Sequence, residues 1–389
     1  MRILSIHNRY QIRGGEDESR ESEEKLLREK GNQVDIYEEN NNRVPEIGKI
    51  RVGLRTVWST ESYQIVKQKL TENSYNIVHV QNFFPLISPS VYYAAETQRV
   101  PVIQTLRNYR LLCANGYFFR DQKVCEDCLG KPIPWPGVIH SCYRESKAAS
   151  LAVVAMQTFH RAISTWKKKV NLYIALTEFT KQKFIQAGLP SEKIVVKPNF
   201  VYPDPGIGKG TGNYALFIGR LSPEKGLDTL LEAWQNLAQK IPLKIIGDGP
   251  LSPMVKEVAH KLPGVEWLGR QPIQEVYTLI GEAKLVIFPS KWYETFGRVA
   301  IEAFAKGTPV VGSNLGNMAS LIDHGRTGFH FCPGNSDDLV AQVEYALTHP
   351  EQLRKMRLEA RAEFEAKYTA EQNYQKLMDI YKLALATKN

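Results

Sequence analysis

Phe217-Ile-Gly-Arg-Leu-Ser-Pro-Glu-Lys-Gly226 is the stretch whose reading settles the fold class. An apolar run ends at Ile218, Gly219 permits a sharp turn, and a helical pattern opens near Gly226. Strand, glycine turn and helix in that order form the repeating unit of an open α/β sheet. Such sheets bind ligands at the carboxyl ends of their strands, where Arg220 and Lys225 would stand. Two cations beside a helix N-terminus make a diphosphate site, although surface ion pairs use the same residue types.

The unit recurs outward from this point in both directions. Apolar runs in the first half are Ile3–Ile6, Val34–Tyr37, Ile77–Val80, Val102–Thr105, Leu172–Leu176 and Ile194–Val196. In the second half they are Ala215–Ile218, Leu243–Ile246, Val265–Leu268, Leu285–Phe288, Val310–Gly312 and Gly328–Phe331. Short apolar runs separated by longer amphipathic stretches predict buried parallel strands with crossover helices. The pattern appears twice, so the 389 residues divide into two α/β domains of ordinary size. Val201–Asn213, with two Pro and four Gly, is the expected hinge. The predicted division is residues 1–203, residues 204–369, and a trailing helix over 370–389 that can cross back to the first domain.

Two further marks join the first in the second half. Ile246-Gly-Asp-Gly-Pro250 again runs a strand into a glycine turn, and Gly247 lets backbone approach a ligand. Glu294-Thr-Phe-Gly-Arg-Val-Ala-Ile-Glu302 follows a strand and opens a helix near Gly297. Glu294 then lies on the loop and Glu302 on about the second helical turn. Carboxylates accept hydrogen bonds from vicinal sugar hydroxyls, and Gly297 leaves the helix N-terminus open to an anion.

Together with Gly307-Thr-Pro-Val-Val and Thr327-Gly328, these marks resemble the donor domain of family 4 of the retaining glycosyltransferases. The resemblance runs from Phe217 to Gly328 and weakly over nearly the whole chain. It implies the GT-B fold, with two Rossmann-like domains facing each other across a cleft. It implies that Arg220 and Lys225 hold the diphosphate of a UDP- or GDP-sugar, that Glu302 binds the ribose, and that Glu294 binds a hydroxyl of the transferred sugar. Gly219, Gly247, Phe296 and Gly297 would complete the cradle with backbone. Gly14 and Gly15, in Arg13-Gly14-Gly15-Glu16-Asp17, would reach the same ligand from the first domain. Glu16 reads either as part of this loop or as a first-turn acid complementing the helix dipole. The expected activity is hexosyl transfer with retention to a hydroxyl acceptor, for polysaccharide, glycolipid or small-glycoside synthesis, with no cofactor. The alternatives are a nucleotide-sugar epimerase of the same fold, or a weakly catalytic protein that binds sugar nucleotides.

The first half departs from the family twice. In Thr105-Leu-Arg-Asn-Tyr-Arg110 an Arg107 stands where the family usually has His, and in His79-Val-Gln-Asn82 a Gln81 stands where it often has His. A guanidinium clamps anions and does not shuttle protons. Arg107, Asn108 and Arg110 are therefore candidates for the acceptor side.

Charge and cysteine usage add partners. Arg144–Lys197 carries ten Lys/Arg against three Asp/Glu, which favours a phosphate- or lipid-linked acceptor or an anionic surface; nucleic acid is not expected. Ser146–Lys169 predicts one amphipathic helix with Ala152, Met156, Phe159, Ile163 and Trp166 on a single stripe. Such a helix either packs on a core or lies on a membrane. Met1–His7 reads as a first strand and not a signal peptide, so the expected place is the cytoplasm or the inner membrane face. Cys113, Cys125, Cys128 and Cys142 fall on the long Gly/Pro-rich connection around Ala114–His140. Structural zinc, two disulfides and free thiols all fit that spacing.

Overall fold

The computed structural model describes residues 1–387 and divides into two compact units. The first unit takes residues 1–118, 125–199 and those from Asn373 onward; the second takes 119–124 and 200–372.

In the first unit, β1 (Arg2–Arg9), β2 (Gln33–Asn40), β3 (Ile77–Asn82) and β4 (Val102–Leu106) alternate with helices along the chain. After β4 comes a two-stranded antiparallel hairpin, β5 (Phe119–Arg120) and β6 (Lys123–Val124), which groups with the second unit. The sheet is then completed by β7 (Leu172–Ala175) and β8 (Ile194–Val196) in the parallel order β2-β1-β3-β4-β7-β8. Ile3, Ile77, Ile103, Leu172 and Ile174 bury one face against Leu377, Ile380, Tyr381 and Ala384 of the last helix, Ala370–Ala386. Polar anchors set the register of that helix. Tyr381 Oη meets His79 Nδ1 at 2.9 Å, and Lys197 Nζ donates to Asn373 Oδ1 at 3.0 Å and to Glu23 Oε2 at 2.7 Å. Burial alone would raise the Glu23 carboxyl, but the Lys197 ammonium and neighbouring cations bring it to about 2.

The second unit repeats the design with β9 (Ala215–Ile218), β10 (Leu243–Ile246), β11 (Val265–Gly269), β12 (Leu285–Phe288), β13 (Val310–Ser313) and β14 (Gly328–Phe331). The parallel order is β11-β10-β9-β12-β13-β14. The chain starts in the middle, builds outward one way through β11, then returns to the other side of β9. The strand order therefore reverses between β9 and β12, which is where doubly wound sheets open a crevice for ligands. All twelve apolar runs of the sequence are strands of these two sheets, and two Rossmann-like domains of this kind make the GT-B fold.

The Pro/Gly-rich segment 201–213 is tied to the second unit: Gly208, Gly210 and Gly212 donate to the carbonyls of Lys306, Gly281 and Glu282 at 2.9, 2.9 and 3.0 Å, and Arg361 holds Asp204 through two contacts at 2.7–2.8 Å. One local expectation is corrected. The stretch 146–169 is not one helix. It runs as Lys147–Ala162, breaks at Ser164 in the left-handed region, and resumes as Thr165–Lys168. The core-facing stripe is also rotated, to Val153, Val154, Met156, Gln157 and His160, leaving Phe159 and Ile163 exposed.

Candidate functional site

The loops leaving β9, β10 and β12 are welded by backbone. Gly226 has φ +70°, and a Cβ there would lie 1.8 Å from the carbonyl oxygen of Pro289. Gly247 has φ +137°, and its Cβ would lie 1.8 Å from the oxygen of Gly219. Only glycine permits both approaches. Lys291 N also donates to Glu224 O at 2.9 Å, so the β9 and β12 loops run side by side at the switch point.

This frame brings Lys225 and Glu294 together. Lys225 Nζ stands 2.5 Å from Glu294 Oε1, which also accepts from Ser290 Oγ at 2.7 Å and Trp292 Nε1 at 2.8 Å. Glu294 is buried, and the Lys225 ammonium lies 5.3 Å from the Trp292 ring centroid. Arg220 projects from the end of β9, exposed, and its guanidinium enters no ion pair among the described residues. Glu302 sits on the second turn of the helix Arg298–Ala305, buried, with Arg298 Nε donating to its Oε1 at 2.7 Å. Gly297 is the N-cap at φ +97°, and the carbonyl of buried Phe296 is held by Asn317 Nδ2. Among the described residues the site thus offers the unpaired cation Arg220 and two ion pairs, Lys225–Glu294 and Arg298–Glu302, around glycine turns. Ser290, Trp292 and Asn317, which orient these groups, were missed; the sequence offered no signal beyond their nearness to Glu294 and Phe296.

In the first unit, Gly14 caps the helix Gly15–Glu29 with extended backbone, and a Cβ on it would meet nothing within 4 Å. Asp17, not Glu16, serves the helix start: its Oδ2 accepts from Gly14 N at 3.0 Å, and its Oδ1 meets His7 Nε2 at 2.9 Å. Glu16 turns toward Asn108 Nδ2, 3.5 Å away, while its Oε1 has no hydrogen bond. Burial pushes the Glu16 carboxyl up to about 7 against the pull of Arg107.

The two departures from the family meet each other. Arg107 donates from Nε and Nη2 to Gln81 Oε1 at 2.9 and 2.6 Å, and from Nη1 to Asn199 Oδ1 at 3.3 Å. Gln81 passes the link on, donating to Glu23 Oε1 at 2.7 Å. The Arg107 guanidinium, read as a clamp for an acceptor, is buried and spends these donors internally. Arg110 is also buried, stacked at 4.6 and 4.8 Å over the rings of Phe84 and Tyr143, and bonded to the carbonyl of Ala114. Of the three acceptor-side candidates, Asn108 is the half-buried one, with its amide toward Glu16 and Tyr10.

The four cysteines gather in the first unit without disulfides. Cys113 and Cys128 are buried; burial first, then the neighbouring Cys113, Cys142 and Cys125, push the Cys128 thiol up to about 12. Cys113 Sγ donates to Asn115 Oδ1 at 3.0 Å and Cys128 Sγ to Pro134 O at 3.7 Å. Among the described residues no three His, Cys, Asp or Glu side chains stand in metal-ligating geometry. The donor set suits zinc, but ligation would require these thiols to lose their protons and leave those acceptors.

Comparison with known proteins places the second unit. The chain is 30% identical over 175 residues to an uncharacterised glycosyltransferase, MJ1178, of Methanocaldococcus jannaschii, covering 44% of this chain and 49% of that one. It is 34% identical over 141 residues to glycogen synthase of Mycobacterium tuberculosis, covering 35% of this chain and 34% of that one. The chain thus spans half or less of the length of these curated relatives. Among solved structures, Alr3699/HepE of Anabaena in complex with UDP superposes with a TM-score of 0.71 at 18% identity, covering 98% of this chain and all of that one. Residues 205–363, which hold every element of the β9–β12 site, match the family of glycosyl transferases group 1, and the chain as a whole has the GT-B fold.

Proposed function

We propose that the protein is a retaining glycosyltransferase that moves a hexosyl unit from a UDP-sugar to a hydroxyl acceptor. The observation that carries this reading is the Lys225–Glu294 pair beside unpaired Arg220 at the β9/β12 switch point. Cleaving the bond between the anomeric carbon and phosphate leaves positive charge on the sugar and negative charge on the nucleotide. Arg220 and Lys225 stabilise the departing diphosphate, a contribution of a few kcal/mol for a preorganised contact. Glu294 takes a sugar hydroxyl and Glu302 the ribose, each oxygen accepting from a diol. The departing phosphate accepts the proton of the incoming hydroxyl on the same face, which retains configuration.

Uridine is favoured over guanosine because HepE, of the same fold, is seen with UDP and with UDP-glucose. The basic balance of Arg144–Lys169 supports an anionic or lipid-phosphate-linked acceptor at the inner face of a membrane. The four cysteines are proposed to hold a structural zinc remote from the chemistry. Thermal shift with UDP and GDP tests the donor, because a ligand that binds only the native state raises its melting temperature. NMR of the product then reads its anomeric configuration. No shift with either nucleotide, or an inverted product, overturns the reading.

A further inference from the structure

Two helices of the first unit lie side by side with apolar residues turned outward. On Lys49–Val57 and its C-cap, Ile50, Leu54 and Trp58 are exposed at 83, 68 and 37%. On Lys147–Ala162 and its C-cap, Leu151, Phe159 and Ile163 are exposed at 56, 44 and 42%. Each set recurs at four- or eight-residue spacing, so each forms one stripe along its helix. Contact between the helices fixes the stripes together: Gly53 lies against the Ala152 methyl, His160 Nε2 meets Val57 O at 2.8 Å, and the Trp58 and His160 rings stack at 6.5 Å. A third ledge adjoins them. Arg161 reaches the carbonyls of Lys131 and Pro132, next to exposed Ile133 and Trp135, and Lys131 lies 5.3 Å over the Trp135 ring.

The charge borne by the two helices themselves has one sign. Neither helix contains an Asp or Glu. Lys49, Arg51, Lys147, Lys167 and Lys168 flank the stripes, and their side chains enter no ion pair among the described residues. Apolar stripes rimmed by unpaired cations fit an interface of lipid headgroups and acyl chains, where the apolar side chains enter and the cations meet phosphate. No helix of the described residues is long and apolar enough to cross a membrane.

We infer that the face formed by Lys49–Trp58 and Lys147–Lys168 docks the protein on an anionic lipid bilayer. The inference deepens the proposed lipid-linked acceptor and draws in the helix Lys49–Val57, which the basic stretch alone did not implicate. The test is flotation of the full chain with vesicles of phosphatidylcholine alone or with about a third phosphatidylglycerol, at low and high salt. Wild-type protein should float with the anionic vesicles at low salt and not with the neutral ones. Ile50→Glu/Leu54→Glu and Lys167→Glu/Lys168→Glu should each lower the bound fraction at least tenfold, since each cation near an anionic surface contributes about 1 kcal/mol, or about fivefold. Ile273→Glu, an exposed apolar site in the second unit, should leave flotation unchanged. UDP-induced thermal shift, unchanged in every variant, shows that each is folded. Equal flotation on both vesicle types, none on either, or undiminished flotation of both double variants overturns the inference. A wild type that floats on neither yet transfers sugar to a water-soluble acceptor loses the docking face and keeps the transferase.

Discussion

Replacing Lys225 by Ala separates a counterion from a catalytic cation. In the folded protein its ammonium is one of three donors on Glu294 Oε1, with Ser290 and Trp292. Removing it leaves a buried carboxylate with two donors. A hydrogen bond to a charged group contributes about 1.5–3 kcal/mol, and the cation over Trp292 about 0.5–1 more. The Lys225 side chain is 21% exposed, so water partly replaces the lost donor, and the net cost is about 1–3 kcal/mol. For a unit of this size that lowers Tm by about 3–10 °C. Turnover should fall further, by about 10²–10³, as when one preorganised contact to a developing anion is removed. The assay is UDP release from the preferred UDP-sugar, measured well below the variant's Tm, with Tm from calorimetry. Adding Glu294→Gln to Lys225→Ala removes the stranded charge and should recover most of the lost Tm without recovering turnover. If Glu294→Gln restores turnover as well, Lys225 serves only to neutralise Glu294. If Lys225→Ala alone stays within about threefold of wild type, the donor site is wrongly placed.

Three other outcomes are expected. Gly219→Ala should fold normally, because its Cβ would meet only the Phe217 ring, at 3.4 Å, yet weaken UDP binding; Gly247→Ala should lower Tm sharply, and the reasoning fails if calorimetry and titration reverse that order. Glu16 holds a proton in the folded state that the unfolded chain releases near 4.5, so stability falls as pH rises from about 4.5 to 7. At about 1.4 kcal/mol per pH unit the loss is at most about 3.5 kcal/mol; Glu16→Gln should therefore melt higher than wild type at pH 8 and show no such gain at pH 5, and equal gains at both would discount the buried carboxyl. Metal analysis of chelator-free protein should find about one zinc per chain, released on denaturation with four reactive thiols from Cys113, Cys125, Cys128 and Cys142; less than about one zinc in ten chains would sink the zinc reading.

What the sequence determined by itself is local and periodic. Twelve short apolar runs became twelve strands: inner strands such as β3, β4 and β12 are buried throughout and need an apolar run, whereas the edge strands β2 and β11 are buried only in part and tolerate Asp35 and Glu266. The placement of Arg220, Lys225, Gly247 and Glu294 on the loops that follow β9, β10 and β12 was legible because each loop follows an apolar run of the sequence. The tertiary structure decided everything that depends on which segments meet. Nothing in the chain order announces that Gly226 must admit the Pro289 carbonyl, or that Ser290 and Trp292 converge on one Glu294 oxygen. Arg107 and Gln81, 26 residues apart, looked like two separate departures until they bonded each other. The stripe on Lys147–Ala162 was read one face away because a basic amphipathic helix has more than one apolar flank. Packing against Lys49–Val57, against Pro136–Ile139 and against the backbone of Arg110 selects which flank is buried.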